Sequence, residues 1–276
     1  MPYFRDPQNI EIYFEVMNDG ENLPPLVFIH GYGSSLSVFG NQVKVLQQYF
    51  KILLFDARNH GHSDKIRLDL QENLLDHTVK DVKLLINYLK WKNPVGVIAH
   101  SLFGCGIAQE FANHYPAEVR FLILLNGSSL VFDNHIRNVF WNLLPQFTKK
   151  NFKTLTPDAF NTLIDHAFPF ITTNLIADNN SLDESQEMDL KKLVTQEIKD
   201  LMTDELDMSQ IRCPTLLIGS ELDHISPIST IKTLKALIPH AEVDIVSMTG
   251  HQGLTQRFQQ YNNSILRFLQ NHTIIQ

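Results

Sequence analysis

A serine, two neighbouring acids and a histidine follow one another along this chain, each just past an apolar run. Residues 95–106 (VGVIAHSLFGCG) carry a short strand pattern into a small-residue turn and then a helical pattern, with Ser101 at the apex. A serine hydroxyl is a poor nucleophile, and a sharp strand-to-helix turn lifts its oxygen clear of a sheet and aims helix N-terminal amides at the reacting centre. Such a turn supplies geometry, so a base must supply reactivity. Downstream, residues 216–223 (LLIGSELD) end another apolar strand in Glu221 and Asp223, and residues 249–253 (TGHQG) set His251 in a turn. The chemistry open to this set is attack of the hydroxyl on a carbonyl, with the imidazole taking the proton and a carboxylate holding the imidazole tautomer.

Each member also has an ordinary structural role. Ser101 alone would serve as a helix N-cap, and Asp223 could cap the segment that follows it. Glu221 lies on the same strand face as Asp223 by alternation and is the second acid candidate. His251 follows a strand pattern at Val243 to Val246 and precedes a final helical pattern at Ile265 to Leu269. The pair His60 and His62 lacks a third or fourth ligand, so no metal site is expected there. Cys105 and Cys213 have no metal-ligand spacing and no disulfide pattern, and reduced buried thiols are expected.

The elements that must position these groups read as alternating strands and helices. Ile10 to Val16 alternates as a strand, Asn18-Asp19-Gly20 is a turn, and Leu26 to Ile29 is a second strand, which together suggest an N-terminal hairpin. Ile52 to Phe55, Val95 to Ala99 and Phe121 to Leu125 are continuously apolar, as suits parallel strands covered on both faces. Helical spacing marks Val79 to Leu89, and a second helix from Leu102 to Tyr115 stops at Pro116. Such alternation predicts a parallel sheet. Beyond Gly127 it ceases until residues 214–218 resume it. Helical stripes at Ile136, Val139, Phe140, Leu143, Leu144 and Phe147, and again at Phe160, Leu163, Ile164, Ala167 and Phe168, identify a helical insertion. Trp141 falls off the first stripe by helical angle, which makes it a candidate pocket-lining side chain.

The serine turn joins residues 26–35 (LVFIHGYGSS), residues 56–63 (DARNHGHS), the Asp223 to Pro227 segment and Gly250-His251 in a pattern that resembles the α/β-hydrolase superfamily, capped serine-hydrolase type, over almost the whole chain. The resemblance implies a mostly parallel eight-stranded sheet flanked by helices, with residues 1–129 and 209–276 as the core and 130–208 as a helical cap over the serine. It implies a triad of Ser101, His251 and Asp223, Pro227 matching the loop that follows the acid. Backbone N–H groups of Leu102 and Tyr32 would form the oxyanion hole. No cofactor and no metal are implied, and the substrate would be a small carboxylic ester, or a lactone, thioester or diketone-like compound of related reactivity. Epoxide and haloalkane hydrolases of this fold place a carboxylate where Ser101 stands, which disfavours those activities. One residue departs from the pattern: Phe103, two beyond the serine, stands where a small residue is usual. It suggests either an unusual pocket wall or a hydrolase-like binding or signalling protein with little turnover, and Gly104 and Gly106 offer relief.

Composition is compatible with this. The chain has 276 residues, 43% of them hydrophobic, enough for a sizeable core. A net charge of −7 without a basic stripe argues against a nucleic-acid partner. No uncharged run is long enough to span a bilayer, and the first residues contain no secretory apolar core, so a cytoplasmic protein, monomeric or a simple homodimer, is expected.

Overall fold

Period-two alternation of the apolar strands decides how this chain packs. In the computed structural model, which describes residues 3–64, 74–128 and 208–276, eight strands form one sheet: β1 (Tyr3–Arg5), β2 (Glu11–Met17), β3 (Pro25–Ile29), β4 (Lys51–Phe55), β5 (Val95–His100), β6 (Val119–Leu125), β7 (Thr215–Ser220) and β8 (Glu242–Val246). Their order is β1-β2-β4-β3-β5-β6-β7-β8. The six strands from β4 to β8 run parallel, and β2 and β1 add antiparallel at one edge. Val27, Ile29, Leu53, Phe55, Val97, Ala99, Leu122 and Leu124 enter one buried cluster, while their neighbours Leu26, Phe28, Ile52, Leu54, Ile98, Ile123 and Leu125 enter another. Because successive side chains point to opposite faces, this division puts one core on each side of the sheet.

Helices cover both cores. On one side lie α2 (Leu74–Tyr88), α3 (Ser101–His114) and α4 (Ile228–Leu237), through Val82, Leu85, Ile107, Phe111, Ile231 and Leu234. On the other lie α1 (Gly40–Leu46) and the last helix, α6 (Phe258–Asn271), through Val43, Leu46, Tyr261, Ile265 and Phe268. A single-turn helix, α5 (Gly253–Gln256), precedes α6. Each fully buried Leu, Ile or Phe contributes about 1.5–3 kcal/mol, which makes the two clusters the main source of the rigidity behind the strand ends.

The expected N-terminal hairpin is corrected by the pairing. β2 pairs with β1 and β4, whereas β3 lies between β4 and β5. The physical reason is burial: all five residues of β3 are buried and demand neighbours on both sides, while the half-buried β2 suits an outer antiparallel place. A buried ion cluster fixes the same end of the sheet. Arg58 is 1% exposed and donates to both oxygens of Asp81 on α2, and its Nη2 also reaches Asp6, 3.0 Å away in the β1–β2 connection. The cap expected at 130–208, Trp141 included, lies outside the described residues but for Met208, which is buried in a core cluster with Ile211.

Candidate active site

The end of β5 hands the chain directly to α3, and the junction is tight. His100 is extended (φ −124°, ψ 143°), and the next residue, Ser101, sits at φ 67°. That left-handed conformation is costly for a residue with a Cβ and turns the side chain out of the strand direction. Two glycines make the turn possible by close approach. A Cβ on Gly31 would lie 2.6 Å from the Ser101 Cβ, and one on Gly104 would lie 2.5 Å from the His30 carbonyl oxygen and 2.6 Å from that of Ile29. Gly104 therefore faces the end of β3, and successive helical residues are about 100° apart. Phe103 points elsewhere. It is fully buried, its ring stacked on His60 at 5.3 Å and 21° and meeting the Tyr32 ring edge-on at 5.7 Å. Its ring belongs to the hydrophobic core cluster on that side of the sheet.

Three separated segments meet at this turn. His251, in the turn between β8 and α5, places Nε2 2.8 Å from Ser101 Oγ and Nδ1 2.8 Å from Asp223 Oδ2. A carboxylate accepts, so Nδ1 carries the ring proton, leaving Nε2 to accept the serine hydroxyl proton. Asp223 follows β7 and is 3% exposed. Its Oδ1 takes the backbone N–H groups of Ile225 and Ser226, each at 2.8 Å, and its Oδ2 also takes the Asn126 amide at 2.8 Å. Burial by itself pushes this carboxyl up, but the hydrogen bond and charge of His251, with the Ser226 and Asn126 donors, outweigh it and hold the group below the usual carboxylate range. It stays ionised to orient the imidazole.

His100 braces the other side. Its Nε2 lies 3.1 Å from the His251 carbonyl oxygen, which can only accept, so Nε2 carries the proton. The two rings are 5.1 Å apart. Burial, with the adjacent His251, pushes the His100 imidazole down to about 3, so it remains neutral beside the His251 ring.

Leu102 lies in the first turn of α3, whose N–H groups have no acceptor within the helix, and Tyr32 directly follows the glycine that touches Ser101. Glu221 is exposed and accepts the Met248 N–H at 3.0 Å instead of joining His251. His30 accepts the Ala57 N–H at 3.0 Å, and Asp56 takes the N–H groups of Leu36 and His62, so these residues hold the loops around the site. Among the described residues no three His, Cys, Asp or Glu side chains gather as a metal would require, and no helix is long and apolar enough to cross a membrane. A surface hollow of about 320 Å³ between β8 and α6, lined by Asp244, Gln260 and Arg267 among others, contains none of these residues. Sequence reading missed Asn126; its one signal was a polar residue ending the apolar run of β6.

A model of the alpha/beta hydrolase fold matches residues 24–257. The chain belongs to the α/β-hydrolase family. Among similar proteins, this hydrolase is 27% identical over 255 residues to a Caulobacter sp. (strain K31) protein provisionally named a carbamate hydrolase, covering 87% of this chain and 88% of that one. It is 25% identical over 261 residues to the pimeloyl-[acyl-carrier protein] methyl ester esterase of Hamiltonella defensa, covering 92% and 95%. Among solved structures, the enol-lactonase of Burkholderia xenovorans LB400 superposes with a TM-score of 0.68 at 16% identity, covering 98% of this chain and 100% of that one, a likeness of fold.

Proposed function

We propose that this α/β hydrolase is a serine hydrolase that cleaves small carboxylic esters, or related lactones and thioesters, through an acyl-enzyme on Ser101. The observation that carries the reading is the unbroken hydrogen-bonded run from Ser101 Oγ through both nitrogens of His251 to Asp223, with 2.8 Å at each step. In the first half-reaction Ser101 Oγ bonds to the acyl carbon while its proton passes to His251 Nε2. Collapse of the tetrahedral intermediate breaks the bond to the leaving alcohol, which receives that proton. Water then attacks the acyl carbon, gives its proton to Nε2, and frees the acid as the proton returns to Ser101. Asp223 stays ionised and stabilises the transient imidazolium.

The backbone N–H groups of Leu102 and Tyr32 are assigned to the developing oxyanion, where loss of one donor typically costs about 10²- to 10³-fold. The methyl ester esterase among the relatives supports an ester substrate, and the protein provisionally named a carbamate hydrolase makes carbamates the natural comparison. A binding protein with little turnover was suggested by Phe103 alone. That side chain is accommodated in the core while Ser101 and His251 stay in hydrogen-bond contact, so turnover is the preferred reading.

The test is hydrolysis of p-nitrophenyl esters from acetate to octanoate, a simple lactone and an aryl carbamate, by wild type and Ser101→Ala. Saturable turnover of at least one short- or medium-chain ester, lost in Ser101→Ala, is expected. A folded wild-type protein that turns over none of them would overturn the reading.

A further inference from the structure

Asp223 Oδ2, the oxygen that faces His251, has a second donor whose surroundings leave it no freedom. Asn126 directly follows β6 in the left-handed region (φ 51°), and its N–H reaches the Ile218 carbonyl on β7 at 2.7 Å. Its side-chain Nδ2 lies 2.8 Å from Asp223 Oδ2 and 2.8 Å from Ser220 Oγ, and its Oδ1 lies 2.5 Å from the Tyr261 hydroxyl of α6. Ser220 Oγ and the Tyr261 hydroxyl are 2.6 Å apart. Asn126, Ser220 and Tyr261 are each fully buried. The ring needs a glycine beside it, because a Cβ on Gly253 would lie 2.6 Å from the Tyr261 hydroxyl and 2.8 Å from Ser220 Oγ.

Donor and acceptor inventories fix every direction. The amide carbonyl of Asn126 can only accept, so the single Tyr261 hydrogen goes to it. The amide NH₂ can only donate, so one of its hydrogens goes to Ser220 Oγ. The Ser220 hydrogen is then left for the Tyr261 oxygen, and the ring closes with one hydrogen on each edge. One Asn126 hydrogen remains, and Asp223 Oδ2 is its acceptor. Flipping the amide would set its carbonyl against the carboxylate and leave the Tyr261 hydroxyl without its acceptor.

We propose that Asn126 is a positioning residue for Asp223, locked by Ser220 and Tyr261 as an obligate donor to the same carboxylate oxygen that orients His251. The proposal rests on the acyl-transfer reading above. Oδ1 of Asp223 is already held by two backbone N–H groups. Asn126 is therefore the side chain that sets how much negative charge Oδ2 presents to the imidazole. Around the His251–Asp223 pair stand His100 from β5, with His30 beyond it, and Tyr261 from α6. Burial keeps His100 neutral, pushing it down to about 3, and pushes Tyr261 up to about 12, so neither ionises across the working range.

The experiment compares wild type, Asn126→Ala and Tyr261→Phe by the pH dependence of Ser101 labelling with a fluorophosphonate, with urea unfolding of each. Loss of the donor leaves Oδ2 more negative and favours the imidazolium, so the acidic limb of Asn126→Ala moves up by about 0.5–1 pH unit. Tyr261→Phe, which keeps the ring volume and frees the amide, moves it in the same direction by less, and decides the matter if Asn126→Ala does not fold. A purely structural role would lower the plateau without moving the limb. If wild type is labelled and the folded variants keep its limb, the proposal is overturned while the acyl-transfer reading stands. If wild type is not labelled at all, that reading fails and the proposal with it.

Discussion

Gly31→Ala tests how closely the β3 loop must approach Ser101, the proposed nucleophile. The added Cβ would lie 2.6 Å from the Ser101 Cβ, 3.2 Å from Ser101 Oγ and 3.3 Å from the His100 carbonyl oxygen. Non-bonded carbons rest at about 3.5–4.0 Å, so the loop or the serine must retreat by about 1 Å. Ser101 has little room to comply, because φ 67° sets its direction and its oxygen must stay within reach of His251 Nε2. A misplacement of about 1 Å costs about 10²-fold in rate, and overpacking of this kind costs about 1–3 kcal/mol in stability. The assay is the second-order rate of fluorophosphonate labelling, with urea unfolding alongside. Gly40→Ala is the control: nothing lies within 4 Å of its Cβ position and its backbone is right-handed helical (φ −52°). That control should label at the wild-type rate and gain about 0.4–1 kcal/mol. Wild-type labelling by folded Gly31→Ala would refute the claim that this approach fixes Ser101.

Three further outcomes follow from the same packing. Asp223→Asn, which presents the wrong partner to Nδ1, should slow ester turnover by about 10⁴-fold, whereas Glu221→Gln, removed from the site, should leave kcat/KM unchanged. Asp81→Ala removes two of the carboxylate hydrogen bonds of the buried Arg58 and leaves it Asp6, so it should cost about 3 kcal/mol in urea unfolding, the low end for a broken buried ion pair, and an unchanged midpoint would remove Arg58 from the account of stability. His100 is neutral when folded but protonates in the unfolded chain below its ordinary 6.5. The unfolded state therefore binds more protons between that value and about 3, and stability falls as pH falls, by up to ~1.4 kcal/mol per pH unit. Urea midpoints at pH 7.5 and 5.0 should drop further in wild type than in His100→Gln, and equal drops would show that this imidazole does not carry the linkage.

The apolar strands and the order of serine, acid and histidine were legible because both depend on local pattern. Runs such as Ile52 to Phe55 suit interior strands, and Ser101 and Asp223 each follow one, whereas His251 follows the edge strand β8. Pairing was harder to read. Nothing within residues 10–29 says that β4, some twenty residues later, will separate β2 from β3, and β1 is three residues with no buried member. The last helix was read only at Ile265 to Leu269, yet it starts at Phe258, because polar residues separate Tyr261 from the apolar cluster. Phe103 looked disruptive when helical positions were counted along the chain. The angle between neighbours on the helix makes Gly104, and not residue 103, the point of contact with β3. Asn126 was invisible for another reason: its partners Ser220, Asp223 and Tyr261 are 94, 97 and 135 residues away, and an asparagine after a strand resembles any turn.

The most direct test of an activated serine at the end of β5 is to treat the folded protein with a fluorophosphonate probe and locate the adduct by peptide mass spectrometry, with Ser101→Ala and His251→Ala alongside. The account predicts a single adduct on Ser101, absent from the first variant and slowed by orders of magnitude in the second. Folded wild-type protein that stays unlabelled, or labelling at Ser101 that proceeds equally well without His251, would contradict it.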